Sequence, residues 1–316
     1  TLDRSSAASD VYKRQTLTST VALYALTVTI ANVSLPQMQG ALSATQDQIA
    51  LVITFNIVAT AVATPLTGWL VARFGQRRVL LFCVTTFTIS TLFCGLAGSL
   101  EMLVLFRVFQ GLCGAPLAPL SQSIVLASYP VEKRGTATAI FGMGVVIGPL
   151  IAPTIGGYLS EEYSWRWVFF MIVPFGVISL LGCWAVVADS VRGVKVRFDW
   201  TGFIALSVAV ACFQVLLDRG ERNSWLDSPE IVLEICAAAL CFYIFVVHTF
   251  TAEKPFLNPA LFLDRNFVLG MALTLVFGVL NFTPMTLLPS LLQNLRGYPD
   301  GIIGLLLGTR GLGTLL

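Results

Sequence analysis

The chain has 316 residues, 56% of them hydrophobic and only 11% charged, with a mean hydropathy of +0.82. A soluble domain carries about 25% Asp, Glu, Lys and Arg, so this chain lacks the polar side chains to cover a globular surface, which excludes an ordinary soluble enzyme. A net charge of +2 is far from the basic footprint of a nucleic-acid binder, and the single histidine, His248, argues against a histidine metal centre or a catalytic triad.

Composition therefore predicts an all-α polytopic membrane protein. The first fifteen residues, TLDRSSAASDVYKRQ, contain neither an initiator Met nor an apolar run, and composition changes abruptly at Thr16. Residues 1–15 are expected to be a non-native or disordered leader outside the fold. A spanning helix needs about 20 mostly apolar residues. Ten segments meet or approach that length: 17–37, 48–72, 79–98, 102–128, 136–159, 167–188, 200–217, 230–250, 266–293 and 300–316. Their length and lack of strict alternation argue against a membrane β-barrel. Seven cysteines (Cys83, Cys94, Cys113, Cys183, Cys212, Cys236 and Cys241) all lie in apolar stretches without a Cys-x-x-Cys pair, and read as small buried side chains.

The connectors support the helix count. The loops after segments two, four, six and eight hold ten Lys and Arg, beginning with Arg73, Arg77 and Arg78, whereas the alternate loops hold four. This bias predicts a cytoplasmic N-terminus and cytoplasmic even-numbered loops. No connector is long enough for a soluble catalytic domain; the longest outer one, 218–229, is charged and turn-rich.

Few charges fall inside the spans. Asp47, Glu101, Asp199 and Glu230 flank them, and Glu234 is one turn into the eighth, where it can snorkel. The basic residues properly inside are Arg107 and Arg310. Arg107 lies about 9 Å along its helix from Glu101, and a charge at that depth points by default to function. Gln110, Gly111 and Gly114 share its face and would suit a water-filled passage. Bonding to backbone carbonyls, or snorkelling, would account for the same arginine without function.

In the fifth segment Gly144, Gly148, Ala152 and Gly156 recur every four residues, a stripe that admits close approach of another helix. Pro149 and Pro153 each remove a backbone hydrogen bond and permit a bend. In the second connector, Gly68 and Gly75 allow a tight turn and Arg73, Arg77 and Arg78 anchor it; ordinary positive-inside flanking would look the same.

Seven segments, in order and on the expected helices and loops, together resemble the major facilitator superfamily, in particular its fourteen-helix drug:proton antiporter branch of the EmrB/QacA type. They are Thr29-Ile-Ala-Asn32-Val-Ser-Leu-Pro36 in helix one, the loop motif from Gly68 through Arg73 and Gly75 to Arg77 and Arg78, and Leu103 through Arg107 to Gln110 and Gly111 in helix four. Helix five adds Gly148-Pro149-Leu-Ile-Ala152-Pro153-Thr-Ile-Gly156-Gly157, and further matches begin at Trp165, Leu217 and Leu288. Departures are Thr27 where the branch has an Asp, Ala72 for the loop acid, Ala152 for a Gly and Ile172 for an Asn.

The resemblance implies a six-helix bundle over 16–188, two linker helices over 189–250 and the start of a second bundle over 251–316, a chain truncated at its C-terminus that would not transport alone. It implies a secondary transporter of the bacterial inner membrane, not an enzyme, without cofactor or metal. Such a protein expels amphipathic organic compounds by alternating access, in exchange for protons and sometimes with accessory efflux proteins. Arg107 and Gln110 are the coupling candidates, and Thr27, Asn32, Asn56 and Met143 offer a cavity wall that Asn281 would face from the second bundle. Each of these polar residues is equally compatible with a packing hydrogen bond. Thr27 leaves open a transporter uncoupled from protons; a membrane-bound enzyme is the remote alternative, since it predicts clustered acids or histidines near one face.

Overall fold

A computed structural model describes residues 2–188, 198–253, 255–298, 302 and 306, and those residues are helical with short connectors and no strand. Thirteen α-helices are described: α1 (Leu2–Val33), α2 (Leu35–Ala41), α3 (Gln46–Ala63), α4 (Thr67–Phe74), α5 (Gln76–Leu96), α6 (Leu100–Gly114), α7 (Leu117–Ser128), α8 (Val131–Glu162), α9 (Trp167–Phe170), α10 (Ile172–Val186), α11 (Trp200–Arg219), α12 (Pro229–Thr251) and α13 (Arg265–Arg296). Among the described residues seven helical stretches are long and apolar enough to cross a membrane, and an eighth if the bent pair α1–α2 is one span. The ninth expected segment lies on α13, of which Arg265–Leu280 forms a shorter apolar stretch. The tenth, with Arg310, lies outside the described residues apart from positions 302 and 306.

Four of the first six expected spans are interrupted, and each break lies beside a proline. The first bends by 57° between α1 and α2, where Pro36 opens the new helix. A 3-10 turn over Thr64–Leu66 holds Pro65 between α3 and α4. Pro116 separates α6 from α7, and Pro174 sits in the first turn of α10 just after the break from α9. Proline lacks the N–H and clashes with the carbonyl four residues back, so each ladder ends within the turn that precedes it. Helix α8 runs unbroken for 32 residues over Pro149 and Pro153.

Residues 2–15, expected to lie outside the fold, form the first turns of α1. Lys13 pairs with Asp10 at 3.1 Å, Arg14 lies over the Tyr129 ring, and Tyr129 Oη donates to the Asp10 carbonyl at 3.1 Å. These side chains continue the helix beyond its apolar run and hold it against the end of α7.

The chain divides into two compact units near residue 196. In the first, α1 packs against α7, α8 and α10, α3 against α6, and α5 against α6 and α10. Phe87, Leu80, Leu17, Leu117 and Leu120 form one buried cluster, and Met38, Val52, Leu103 and Phe169 another. Lipid tails are as apolar as these side chains, so close van der Waals contact and satisfied polar groups hold the bundle together.

In the second unit α11 and α12 pair. At one end Arg219 forms an ion pair with Glu230, and Trp225 Nε1 donates to Glu221 Oε2 at 2.9 Å. At the other, Asp199 caps α11, accepting from the amides of Gly202 at 2.9 Å and Phe256 at 3.0 Å, and meets His248 Nε2 at 2.8 Å. Burial raises the Asp199 pKa, but these three donors outweigh it and hold the carboxyl below the ordinary aspartate range.

The cysteines do not all match the buried reading. Cys83, Cys94 and Cys183 are buried, whereas Cys113, Cys212 and Cys241 are half-buried and Cys236 is exposed on α12; all seven are free thiols. An exposed apolar face is what a lipid-facing helix presents, and a small thiol suits it as well as it suits a core.

Candidate functional site

Arg107 is the largest fully buried side chain among the described residues, with none of its surface exposed. Ser99 caps the helix that carries it, accepting from the Met102 amide at 3.3 Å, and the apolar run that follows takes Arg107 into the bundle. Its Nε donates to the Val52 carbonyl of α3 at 3.4 Å and its Nη1 to Gln110 Oε1 at 2.5 Å. Gln110 Nε2 donates to Thr91 Oγ1 of α5 at 2.7 Å. From α3, Asn56 Nδ2 donates to the Arg107 carbonyl at 2.8 Å. Arg107 Nη2 has no hydrogen-bond partner among the described residues.

The packing requires glycine at two points of this face. A Cβ on Gly111 would stand 2.5 Å from the Asn56 carbonyl oxygen and 3.0 Å from Ala59 Cβ. One on Gly114 would stand 2.5 Å from the Tyr24 ring, whose hydroxyl lies 3.4 Å from Thr60 Oγ1. The face read as the wall of a water-filled passage is therefore closed here: Arg107, Gln110, Gly111 and Gly114 are all buried against α3, α5 and α1. Small residues recommend themselves for a passage and for tight helix contact alike, and sequence spacing cannot separate the two.

No carboxylate among the described residues of this unit stands beside Arg107 in the apolar interior. Asp3 and Asp10 precede the apolar run of α1, Asp47, Glu101 and Glu132 lie in the first turns of α3, α6 and α8, and Glu161 and Glu162 end α8. Thr27, at the position of the expected acid, is buried and donates its hydroxyl to the Leu23 carbonyl at 2.7 Å. The arginine's charge is thus met by carbonyl and amide oxygens, the pattern expected of a costly intramembrane cation.

Of the remaining candidates, Asn32 is exposed near the end of α1 and Met143 is 44% exposed on α8. Asn281 falls on α13 in the second unit, with its side chain outside the described residues. The structure thus brings together Arg107, Gln110 and Asn56, and adds Thr91 and Tyr24, which the sequence did not single out. Among the described residues no three His, Cys, Asp or Glu side chains come close enough to hold a metal.

The helix-five stripe faces α1. A Cβ on Gly148 would fall on the Ala22 carbonyl oxygen, one on Gly144 on Thr18 Cγ2, and one on Gly156 within 2.7 Å of Ile30 Cγ1; Ala152 is fully buried in the same row. Gly157 has nothing within 4 Å of its added Cβ. In the loop motif, Gly75 takes φ +86° and ψ 152° between α4 and α5, Arg77 Nη2 donates to the Trp184 carbonyl at 2.9 Å, and Arg73 lies over the Trp69 and Phe74 rings. Gly68 has open space around it and Arg78 is exposed.

Long apolar helices packed through glycine, around a cation buried among carbonyl and amide oxygens, define an α-helical integral membrane protein of the bundle type used by transporters. The family profile described as Major Facilitator Superfamily matches residues 17–316, and the chain belongs to that family. It is 37% identical over 289 residues to the multidrug export protein EmrB of Haemophilus influenzae, an alignment covering 91% of this chain and 57% of that protein. It is 38% identical to EmrB of Escherichia coli (88% of this chain, 54% of that one) and 37% identical to the fatty acid resistance protein FarB of Neisseria gonorrhoeae (89% and 55%). The chain spans about half the length of these curated relatives. Solved structures share the fold: a peptide transporter POT in complex with sulfate (TM-score 0.58, 18% identity, 77% of this chain and 53% of that one) and the xylose transporter XylE from E. coli (0.53, 14%, 74% and 58%).

Proposed function

We propose that this chain is part of a secondary transporter that exports amphipathic organic compounds across the bacterial inner membrane by alternating access, in exchange for protons. The observation that carries the reading is Arg107, a guanidinium buried in the apolar bundle with no carboxylate beside it and one nitrogen unpaired. Such a charge is retained where it has work to do. The EmrB relatives are multidrug export proteins, which supplies the direction, export, and the substrate class, drugs. The Lys and Arg bias of the loops supports a cytoplasmic N-terminus, and accessory efflux proteins fit the same reading.

Thr27 favours a second reading, an exporter that does not use protons. Its hydroxyl is bonded to its own helix, and it cannot titrate as the branch's acid would. The test is export of a fluorescent amphipathic drug from proteoliposomes containing the full-length protein under an imposed pH gradient, with and without an uncoupler. Collapse of export on uncoupling supports antiport; export indifferent to the gradient supports the second reading. R107Q should insert normally and lose export, and full activity in that variant removes Arg107 from the mechanism.

A further inference from the structure

We infer that Thr91 is a positioning residue for Arg107, acting through Gln110; the inference rests on the proposed role of Arg107 in transport. Thr91 is fully buried on α5, and its hydroxyl bonds to Phe87 and Gln110 rather than to Arg107 itself. Its hydroxyl hydrogen goes to the Phe87 carbonyl at 2.8 Å, one turn back on its own helix. That leaves Thr91 Oγ1 as an acceptor, and Gln110 Nε2 donates to it at 2.7 Å.

This fixes which way the amide of Gln110 faces. An amide has a donating and an accepting end, and the two are interchangeable until a neighbour selects one. With Nε2 committed to Thr91, Oε1 must face Arg107, where it accepts from Nη1. Turned over, the amide would set its NH2 against the guanidinium, donor to donor, and leave its oxygen beside Thr91 Oγ1, whose hydrogen is committed elsewhere. Three helices therefore set one orientation: α5 supplies Thr91, α6 supplies Gln110 and Arg107, and α3 supplies the Val52 carbonyl that accepts from Nε at 3.4 Å. A planar guanidinium held at Nε and Nη1 has its remaining edge fixed in direction. That edge is Nη2, the nitrogen without a partner. Thr91 thus sets the direction in which the only unpaired nitrogen of Arg107 points.

The proposal is tested with T91V, which keeps the shape and removes the acceptor, and T91S, which keeps the acceptor and removes a methyl group. Both are made in the full-length protein, purified, and compared for melting temperature and for proton-driven export as a function of pH. Losing one buried acceptor should slow export in T91V by about three- to tenfold and displace its pH profile, while T91S keeps the rate and profile of the parent. A T91V protein with the parental rate and pH profile overturns the proposal. So does equal loss in T91S and T91V with an unmoved profile, which would mark Thr91 as packing only. Failure of the underlying reading looks different: the parent protein itself would export without regard to the pH gradient, or R107Q would export normally.

Discussion

Gly148 is where the bundle is least able to accept one more carbon. An added methyl group falls on the carbonyl oxygen of Ala22 and 3.0 Å from the amide nitrogen of Leu26, both backbone atoms within one turn of α1. Side chains can rotate away from such a contact; a helix backbone cannot. A comfortable separation is about 3.5 Å, so G148A must move α1 and α8 apart by roughly an ångström along a contact that also includes Thr18 and Ile30. Overpacking of this kind costs about 2–3 kcal/mol. G156A meets mainly the side chain of Ile30, which can shift, and should cost about 1 kcal/mol. G157A meets nothing within 4 Å and should gain about 0.5–1 kcal/mol, the ordinary benefit of alanine over glycine in a helix. The assay is unfolding in mixed micelles, with each variant compared with the parent. The expected order of stability is G157A, then parent, then G156A, then G148A. A G148A protein as stable as the parent, or G157A as damaged as G148A, would refute the assignment of this stripe to the α1 contact.

Two further outcomes follow from the turns and the second unit. Gly75 occupies a backbone region that residues with a side chain avoid, so G75A should lower stability by about 1–3 kcal/mol, read as a drop in melting temperature, with R78A as an exposed control from the same loop. Asp199 has a lowered pKa, so its contribution is present above the ordinary aspartate pKa of about 4 and is lost as pH falls through the lower folded value. Amide exchange at Gly202 and Phe256, corrected for the intrinsic rate, should show protection that fades over that acid range, and D199A, which has no side-chain acceptor, should lack it at every pH. Protection in D199A equal to the parent's would dismiss the carboxylate as the tie.

What the sequence made legible follows from how much each residue's chemistry depends on context. Arg107 stands out in any apolar run, and Gly148 and Gly156 announce close approach by their spacing. Their partners are silent. Ala22, Leu26 and Ile30 lie in an apolar helix, where one face looks like another. Thr91 is one of many threonines in the spans, most of which donate to a carbonyl one turn back, and nothing marks the one that also accepts from Gln110. The prolines show a graded effect: Pro36, Pro65, Pro116 and Pro174 lie at breaks, whereas Pro149 and Pro153 lie inside an intact helix. On α8 the glycine row seats the helix against α1, and that contact constrains its path over both prolines.

The row of contacts between α1 and α8 also sets a schedule. Ala22 and Gly148 are 126 residues apart in sequence, and at about 5–20 residues per second a ribosome takes roughly 6–25 seconds to cover that interval. Throughout it, the first helix waits in the membrane without its principal neighbour. Several of its hydroxyls are suited to the delay: Thr20, Thr27 and Thr29 donate to the carbonyls of Thr16, Leu23 and Ala25 of their own helix. A helix that satisfies most of these hydroxyls itself can enter the bilayer early and alone, and remain available for a partner synthesised much later.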